Sequence, residues 1–226
     1  MKCKNKFFEK KNAREKCKNR KILDVYISKI PDNVEISELY PIDRQKEIES
    51  VTNQNLKVAK FWVWKVLEYA FFRSFSLKID EVAPRKSKSG KWVSKKCYFS
   101  LSHTKGLVAV AISNAPVGVD IENAEEFARK FHEDQDLIQK IADKLRTKKE
   151  RRGAECIDLS DLMTLWVKKE SVFKKSNNKG VFRPQKLLLD KEKISTKIDK
   201  CEEIGYCLSV CGKNIESARY LFCDKI

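Results

Sequence analysis

Val117-Gly118-Val119-Asp120-Ile121-Glu122 is a segment in which two carboxylates alternate with apolar residues. On a strand, successive side chains point to opposite faces, so Asp120 and Glu122 share one face and the apolar residues share the other. Their Cα atoms are then roughly 6.5 Å apart, which is two strand rises. Adjacent carboxylates repel each other, and Mg²⁺ commonly binds one or two carboxylates together with substrate phosphates. The segment predicts a strand with a carboxylate pair suited to Mg²⁺. The alternative is the solvent face of an ordinary half-exposed strand.

A second segment, Trp166-Val167-Lys168-Lys169-Glu170-Ser171-Val172-Phe173-Lys174, follows about fifty residues later. On a helix, Glu170 and Lys174 are i,i+4 neighbours on one face. An acid and an amine in this arrangement could handle a proton and a phosphate. The alternative is an ordinary surface ion pair, worth about 0.2–0.5 kcal/mol. Trp166 is better explained as core packing than as part of the chemistry.

These two segments and a third, Phe99-Ser100-Leu101-Ser102-His103, resemble the signatures of the phosphopantetheinyl transferase superfamily. The family patterns are G-(V/I)-D-(V/I)-E, W-x-x-K-E-(S/A)-x-x-K and F-x-(I/L)-S-H. The three segments occur in the family order and at similar spacing, with weaker likeness from about residue 35 to 210. Within the superfamily, the chain looks like the longer, monomeric, surfactin-synthetase-activating type.

The resemblance implies a Mg²⁺ site formed by Asp120, Glu122 and Glu170. The ion would also hold the pyrophosphate of coenzyme A and neutralise its developing charge. Glu170 would in addition be the general base that removes the proton from a carrier-protein serine, directly or through water. Lys174 would hold a phosphate oxygen and stabilise the leaving group. The family often has a further acidic ligand downstream, here within the segment Glu133–Asp136, where the spacing favours Asp136.

The resemblance also implies contacts to coenzyme A from the third segment and from the long first-half helix. Ser102 and His103 would bind the coenzyme, with the histidine on the 3′-phosphate. A nearby dianion would raise the pKa of this histidine and favour its cation. Lys60 falls where relatives carry an arginine that faces the same phosphate. A lysine is a point charge rather than a planar fork, so its contact would be less directional.

Two more lysines match coenzyme-binding positions of the family. Lys91 lies in a family G-K-P motif that contacts the nucleotide, but Trp92 replaces the proline, so this loop could adopt a different position. Lys169 is the first lysine of the helix signature, and its role is either structural or phosphate-facing.

Helices alternate with strands in two similar halves, which indicates an α/β (α+β) fold. The break falls near residues 114–116. We therefore divide the chain into a basic leader (1–21), an N-terminal α/β subdomain (22–114) and a C-terminal α/β subdomain (115–226). The resemblance implies that the two subdomains are related by pseudo-twofold symmetry, with the active site at their interface.

Propensity and turn signals predict the individual elements. We expect one helix that begins after Asp43 as its cap, a long helix over residues 55–75, helical structure within residues 125–152, and a helix that begins after Ser160 as its cap. We expect strands over residues 22–27, 96–102, 107–113, 118–122, 186–190, 205–210 and 220–223.

Charge indicates a polyanionic partner without selecting one. The 226 residues include 48 Lys and Arg against 32 Asp and Glu, a net charge of +16. Coenzyme A, an acidic carrier protein and nucleic acid would all be attracted to such a surface. Residues 2–21 alone contain ten Lys and Arg against Glu9 and Glu15. This stretch is either a nucleic-acid-binding arm or a solvated leader.

Other classes are disfavoured by composition. The chain has eight cysteines but no CxxC motif and only two histidines, so zinc-site spacing is missing. We find no apolar stretch typical of a signal peptide and no run approaching the roughly eighteen apolar residues of a membrane span. We therefore expect a cytoplasmic protein with reduced thiols and no membrane partner.

The combined interpretation is a Mg²⁺-dependent transferase, with coenzyme A as co-substrate and no nucleic-acid partner. It would move the phosphopantetheine arm to a serine of an acidic apo acyl or peptidyl carrier protein, and its length suits a monomer. One alternative is a basic, non-catalytic nucleic-acid-binding protein, which explains the charge but not the three spaced motifs. Another is a different Mg²⁺ phosphoryl-transfer enzyme, but the sequence has no Walker loop and only seven glycines.

Overall fold

The computed structural model describes residues 21–131, 134–152, 156–176, 180–223 and 226. The basic leader therefore lies outside the described residues except for its last residue. The described helices are α1 (Ile42–Glu49), α2 (Gln54–Phe75), α3 (Ile79–Val82), α4 (Ala124–Phe131), α5 (Gln135–Leu145), α6 (Lys148–Arg151) and α7 (Leu159–Lys175). The strands are β1 (Leu23–Lys29), β2 (Arg85–Lys86), β3 (Trp92–Val93), β4 (Tyr98–Thr104), β5 (Leu107–Ser113), β6 (Val117–Asn123), β7 (Ile194–Cys201), β8 (Ile204–Gly212) and β9 (Arg219–Phe222).

The first half is built on a four-stranded sheet covered by helix α2. The strand order is β4-β5-β1-β9, in which β1 is antiparallel to β5 and parallel to β9. The side chain of Asn53 caps α2 by accepting a hydrogen bond from the Leu56 N–H at 3.0 Å. Apolar residues on most sides of α2 are buried, among them Phe61, Trp64 and Phe71. They form one continuous core with the covered face of the sheet.

The second half is a three-stranded antiparallel sheet covered by helix α7. Its order is β6-β8-β7, so the strand with the carboxylate pair is at one edge. Val117, Val119 and Ile121 face a core shared with β1, β5 and β8. Asp120 and Glu122 are on the opposite face, as the alternation predicts.

Side-chain hydroxyls join the two sheets where β4 meets β6. Three alternate residues of β4, Ser100, Ser102 and Thr104, accept hydrogen bonds from backbone N–H groups of β6. The donor–acceptor distances are 3.1, 3.4 and 3.2 Å, in that order. The edge of the second sheet is thus satisfied by side chains of the first.

The predicted α/β fold class is confirmed, whereas the pseudo-twofold relation of the halves stays a prediction. One strand does not follow the predicted division into subdomains. Strand β9 belongs to the second half of the chain but completes the sheet of the first half, beside β1. Residues 125–152 were predicted to be helical, and their described part contains three separate helices. Among the described helices, none combines the length and apolar character needed to cross a membrane.

Three local predictions are wrong. Asp43 lies inside the first turn of α1, whose cap position is Pro41. Ser160 lies inside α7, where Asp158 is the cap and accepts from the Asp161 N–H at 2.7 Å. Residues 186–190 form parts of two 3-10 turns rather than a strand. The sequence did not reveal the two-residue strands β2 and β3, nor β7, which is polar and largely exposed.

Candidate active site

Asp120 lies at the meeting point of β6, β4 and α7. Its Oδ1 atom accepts hydrogen bonds from the Lys174 Nζ at 2.6 Å and the Ser102 Oγ at 2.8 Å. Its Oδ2 atom is buried and has no hydrogen-bond partner. Asp120 is only 4% exposed, so it is not on a solvent face. A buried carboxylate oxygen without a partner is costly unless a ligand satisfies it.

Gly118 explains how α7 comes so close to this strand. A Cβ atom at this position would overlap the carbonyl oxygen of Ser171 and lie 2.5 Å from the backbone nitrogen of Lys175. Real Cβ atoms do not approach backbone atoms so closely, so the helix can lie here only against a glycine. The glycine of the strand motif therefore sets the distance between the Asp120 strand and the helix that carries Glu170 and Lys174.

Glu122 and Glu170 lie near Asp120 and feel its charge. Burial, together with the Asp120 charge, raises the pKa of Glu122 against the weaker effects of Lys130 and Lys174. Burial raises the pKa of Glu170 to about 6; the charge of Lys174 opposes this, while Asp120 and Glu122 add to it. The two sequence motifs thus bring three carboxylates into one electrostatically coupled group.

The three carboxylates fit a hard divalent cation by their chemistry. The partnerless Oδ2 of Asp120 is an available oxygen ligand, and the mutual repulsion of Glu122 and Glu170 is what a bound dication would relieve. Within the described ranges, however, no group of three or more His, Cys, Asp or Glu side chains is gathered closely enough to hold a metal ion. The Lys174 ammonium instead neutralises Asp120 from the opposite oxygen.

Lys91 reaches this group from the other half of the protein. Its ammonium donates a hydrogen bond to the backbone carbonyl of Lys174 near the end of α7. Burial, and then the charge of Lys174, lowers the pKa of Lys91 to about 8. Two lysines from distant segments therefore lie close together, and one of them, Lys174, contacts Asp120. This arrangement suits a ligand with several negative charges.

His103 follows Ser102 on β4, near the same group of charges. Burial by surrounding residues and the charges of Lys174, Lys60 and Arg44 lower its pKa to about 4. The side chain is nevertheless solvent-exposed, so a ligand can reach it. An exposed histidine close to three cations is well placed to contact an anion.

Lys169 points away from the carboxylate group. Its side chain is fully buried, and its ammonium donates to both carboxylate oxygens of Glu150, at 3.1 and 2.8 Å, and to the Leu187 carbonyl at 2.7 Å. These bonds link α7 to α6 and to Leu187, which directly follows the 3-10 turn at Pro184–Lys186. The sequence left two roles open for Lys169, and these contacts support the structural one.

The further acidic ligand suggested by the resemblance has no counterpart in the described contacts. Glu133 lies outside the described residues. Asp134 caps α5 by accepting from the Leu137 N–H at 2.9 Å. Asp136 is exposed in the first turn of the same helix. Among the described residues, the carboxylates whose charges act on Glu170 are Asp120 and Glu122.

The sequence analysis did not identify the residues that hold the positively charged side chains near His103 in place. Arg44 is buried, and with Lys60 and Lys86 it forms an ion cluster around Glu47. No local pattern announces this cluster, because its members come from α1, α2 and β2. The hydroxyl series in β4 was visible as a period-two pattern and could have been recognised.

Comparisons with known proteins agree with the motifs. Residues 116–210 match the family model of the 4′-phosphopantetheinyl transferase superfamily. The chain is also 34% identical, over 128 residues, to 4′-phosphopantetheinyl transferase gsp of Aneurinibacillus migulanus. That alignment covers 54% of this chain and 49% of the relative, so the match spans about half the length of each protein. These two matches confirm the resemblance to the 4′-phosphopantetheinyl transferase superfamily that the three motifs indicate.

The raised pKa of Glu170 predicts a stability effect that depends on pH. A carboxyl whose pKa is raised on folding contributes most to stability below its unfolded value of 4.5, and this contribution is lost as pH rises through about 6. Glu170→Gln should therefore stabilise the protein at pH 8 without divalent cations, by up to about 2 kcal/mol. The gain should shrink towards pH 5.

Thermal unfolding of both proteins in EDTA at pH 5 and pH 8 measures this difference. Glu125→Gln, at an exposed position of α4, is the matched control and should change nothing. A Glu170→Gln protein that is equally or less stable than the wild type at pH 8 would show that Glu170 is not held in an unfavourable charged state.

Proposed function

We propose that this protein transfers the phosphopantetheine arm of coenzyme A to a serine of an apo acyl or peptidyl carrier protein. The observation that carries this proposal is the convergence of Asp120, Glu122, Glu170 and Lys174. Two separate family motifs bring these residues close enough for their charges to act on one another, and one of them, Asp120, has a buried carboxylate oxygen without a hydrogen-bond partner. The match to the family model and the similarity to the relative support the same reaction.

Asp120, Glu122 and Glu170 are the residues that would hold a magnesium ion. When bound, Mg²⁺ supplies charge neutralisation to the pyrophosphate of the coenzyme. Lys174 and Lys91 would bind oxygens of the same pyrophosphate, because Lys174 contacts Asp120 and Lys91 reaches the Lys174 carbonyl from the opposite half of the protein. Such fixed cations stabilise charge that develops on a leaving phosphate.

Glu170 would act as the general base. A base works best when its pKa is close to the operating pH, and burial raises the pKa of Glu170 to about 6. It would take the proton of the carrier serine, directly or through a water molecule. The serine oxygen then forms a bond to the phosphorus of the phosphopantetheine arm. The bond from this phosphorus to the bridging oxygen breaks, and adenosine 3′,5′-bisphosphate leaves with the electron pair.

His103 and Lys60 would bind the 3′-phosphate of the coenzyme. We expect His103→Ala to raise KM for coenzyme A by roughly 10–100-fold, since a hydrogen bond to a charged group is worth about 1.5–3 kcal/mol. KM for dephospho-coenzyme A, which lacks the 3′-phosphate, should change much less. Steady-state kinetics with the two coenzymes measure the difference. Equal losses with both would mean that His103 does not read this phosphate.

The finer assignments are part of the same proposal. We propose the monomeric, surfactin-synthetase-activating subtype, a cytoplasmic location, and carrier partners with an acidic surface. A net charge of +16 complements such a partner and would speed their encounter. The nucleic-acid-binding alternative has no support from the family match or from the relative.

Release of adenosine 3′,5′-bisphosphate, followed by chromatography, tests the reaction. It should require the protein, coenzyme A, Mg²⁺ and an apo carrier together, and it should stop on addition of EDTA. Release of the nucleotide without any carrier would indicate hydrolysis of coenzyme A instead of transfer and would contradict the proposal.

A further inference from the structure

Glu47 lies at the centre of a polar cluster beside the proposed coenzyme site. Each of its carboxylate oxygens accepts from two donors. Oε1 contacts the Arg44 Nη1 at 3.2 Å and the Lys60 Nζ at 3.3 Å. Oε2 accepts from the Lys86 Nζ at 3.2 Å and the Trp92 Nε1 at 3.0 Å. One side chain of α1 thus contacts residues from α2, β2 and β3 as well as its own helix.

This carboxylate stays ionised over the working range of the protein. Burial alone would raise the pKa of Glu47. The charge of Arg44 and the hydrogen bonds from Trp92, Lys86 and Lys60 outweigh burial and lower the pKa to about 2. Because its side chain is only 21% exposed, these contacts are weakly screened by solvent.

Trp92 contacts both Glu47 and a second tryptophan, Trp64, at the side of this cluster. Its indole packs edge-to-face on Trp64, with ring centroids 5.0 Å apart and an interplanar angle of 67°. The Arg44 guanidinium lies over Trp64 at 4.8 Å from the ring centroid, and Arg44 in turn contacts Glu47. Lys86 and Trp92 are also directly paired across β2 and β3. Trp92 therefore fixes the short β-ribbon against α1 and α2 through both packing and a hydrogen bond.

The cluster lies close to two parts of the proposed coenzyme site, the surroundings of His103 and the loop of Lys91. Lys60 and Arg44 are close enough to His103 for their charges to act on it. Lys91, the residue before Trp92, crosses to the Lys174 carbonyl. The side chain that replaces the family proline is thus the one that ties the Lys91 loop to Glu47.

We propose that Glu47 is a positioning residue for coenzyme binding: it holds Lys60 and Arg44 towards His103 and, through Trp92, fixes the loop of Lys91. This inference rests on the proposed function, because it assumes that the site binds an adenosine nucleotide with a 3′-phosphate. It extends that function to a residue outside the three motifs.

The sign of the effect of Glu47→Gln separates positioning from simple charge neutralisation. If Glu47 only cancels positive charge, its loss should strengthen binding of an anion. If it positions the cations, its loss should weaken binding, because Lys60 and Lys86 lose their anchor while the amide can still accept from Trp92. We expect Glu47→Gln to bind coenzyme A about 3–10-fold more weakly than the wild type. We expect a smaller loss for dephospho-coenzyme A, so that discrimination between the two coenzymes falls.

Isothermal titration of the full-length protein with both coenzymes in the presence of Mg²⁺ measures this change. Trp92→Phe keeps the ring but removes the N–H donor, and should weaken both coenzymes to a similar, smaller extent through the Lys91 loop. Glu49→Gln is the matched control, since Glu49 lies on the same helix, is exposed and accepts from Gln45. Circular dichroism confirms that each variant is folded.

Suppose that the wild type binds coenzyme A more tightly than dephospho-coenzyme A, and that Glu47→Gln binds coenzyme A as tightly as the wild type or more tightly. This result would overturn the inference about Glu47 but not the proposed function. A wild-type protein that binds neither coenzyme would overturn the proposed function, and this inference with it. Weaker binding and reduced discrimination in Glu47→Gln, with Glu49→Gln unchanged, would support both.

Discussion

Asp120→Asn should reduce phosphopantetheine transfer by about 10²–10³-fold, the range for loss of one electrostatic partner at a transition state. The amide removes the charge that Lys174 contacts at 2.6 Å and changes the only proposed ligand whose oxygen is buried without a partner. Transfer rates at saturating coenzyme A and Mg²⁺ measure the loss.

The same change should also cost stability. Removing one member of a fully buried ion pair costs about 3–5 kcal/mol. The loss should be smaller here, because the Lys174 side chain is 20% exposed and water can reach it. Asp199→Asn, at an exposed position on the outer strand of the same sheet, is the control and should leave rate and stability unchanged. Near-normal turnover of Asp120→Asn with Mg²⁺ present would show that Asp120 is not part of the site.

Gly118→Ala should damage both fold and activity, although the residue has no side chain to take part in chemistry. The new methyl group would overlap the Ser171 carbonyl oxygen, so α7 would have to move away from β6. Overpacking of this kind typically costs 1–3 kcal/mol and occasionally more. Because α7 carries Glu170 and Lys174, a small displacement should also cost about 10²-fold in transfer rate.

Gly205→Ala offers a matched control on β8 of the same sheet. A Cβ atom there would meet only the Ala124 side chain at 3.6 Å, which is ordinary contact. Thermal unfolding and transfer rates should therefore separate the two alanine variants clearly. If Gly118→Ala matched Gly205→Ala in both measurements, the close approach of α7 would not be what positions the site.

Local patterns predicted the elements that carry the motifs. The long helix was expected over residues 55–75 and is found at Gln54–Phe75. The hairpin of β4 and β5 and the strand of Asp120 were also expected, because β-branched and alternating residues mark them. The same alternation correctly placed Asp120 and Glu122 on one face of β6.

Features set by non-local contacts could not be predicted in the same way. Alternation shows which face of β6 is polar, but not that α7 and β4 cover it and bury Asp120. The polar strand β7 has no apolar periodicity to reveal it. The pairing of β9 with β1 joins residues almost 200 positions apart, and helix periodicity cannot say that Lys169 is turned towards Glu150.

Intact-mass spectrometry of apo carrier proteins tests the proposed transfer most directly. Acyl and peptidyl carriers would be incubated with this protein, coenzyme A and Mg²⁺, alongside a transferase already able to modify them. We expect at least one carrier to gain the mass of one phosphopantetheine group, with no gain when its modified serine is replaced by alanine. If the reference enzyme modified every carrier and this protein modified none, the proposed function would be contradicted.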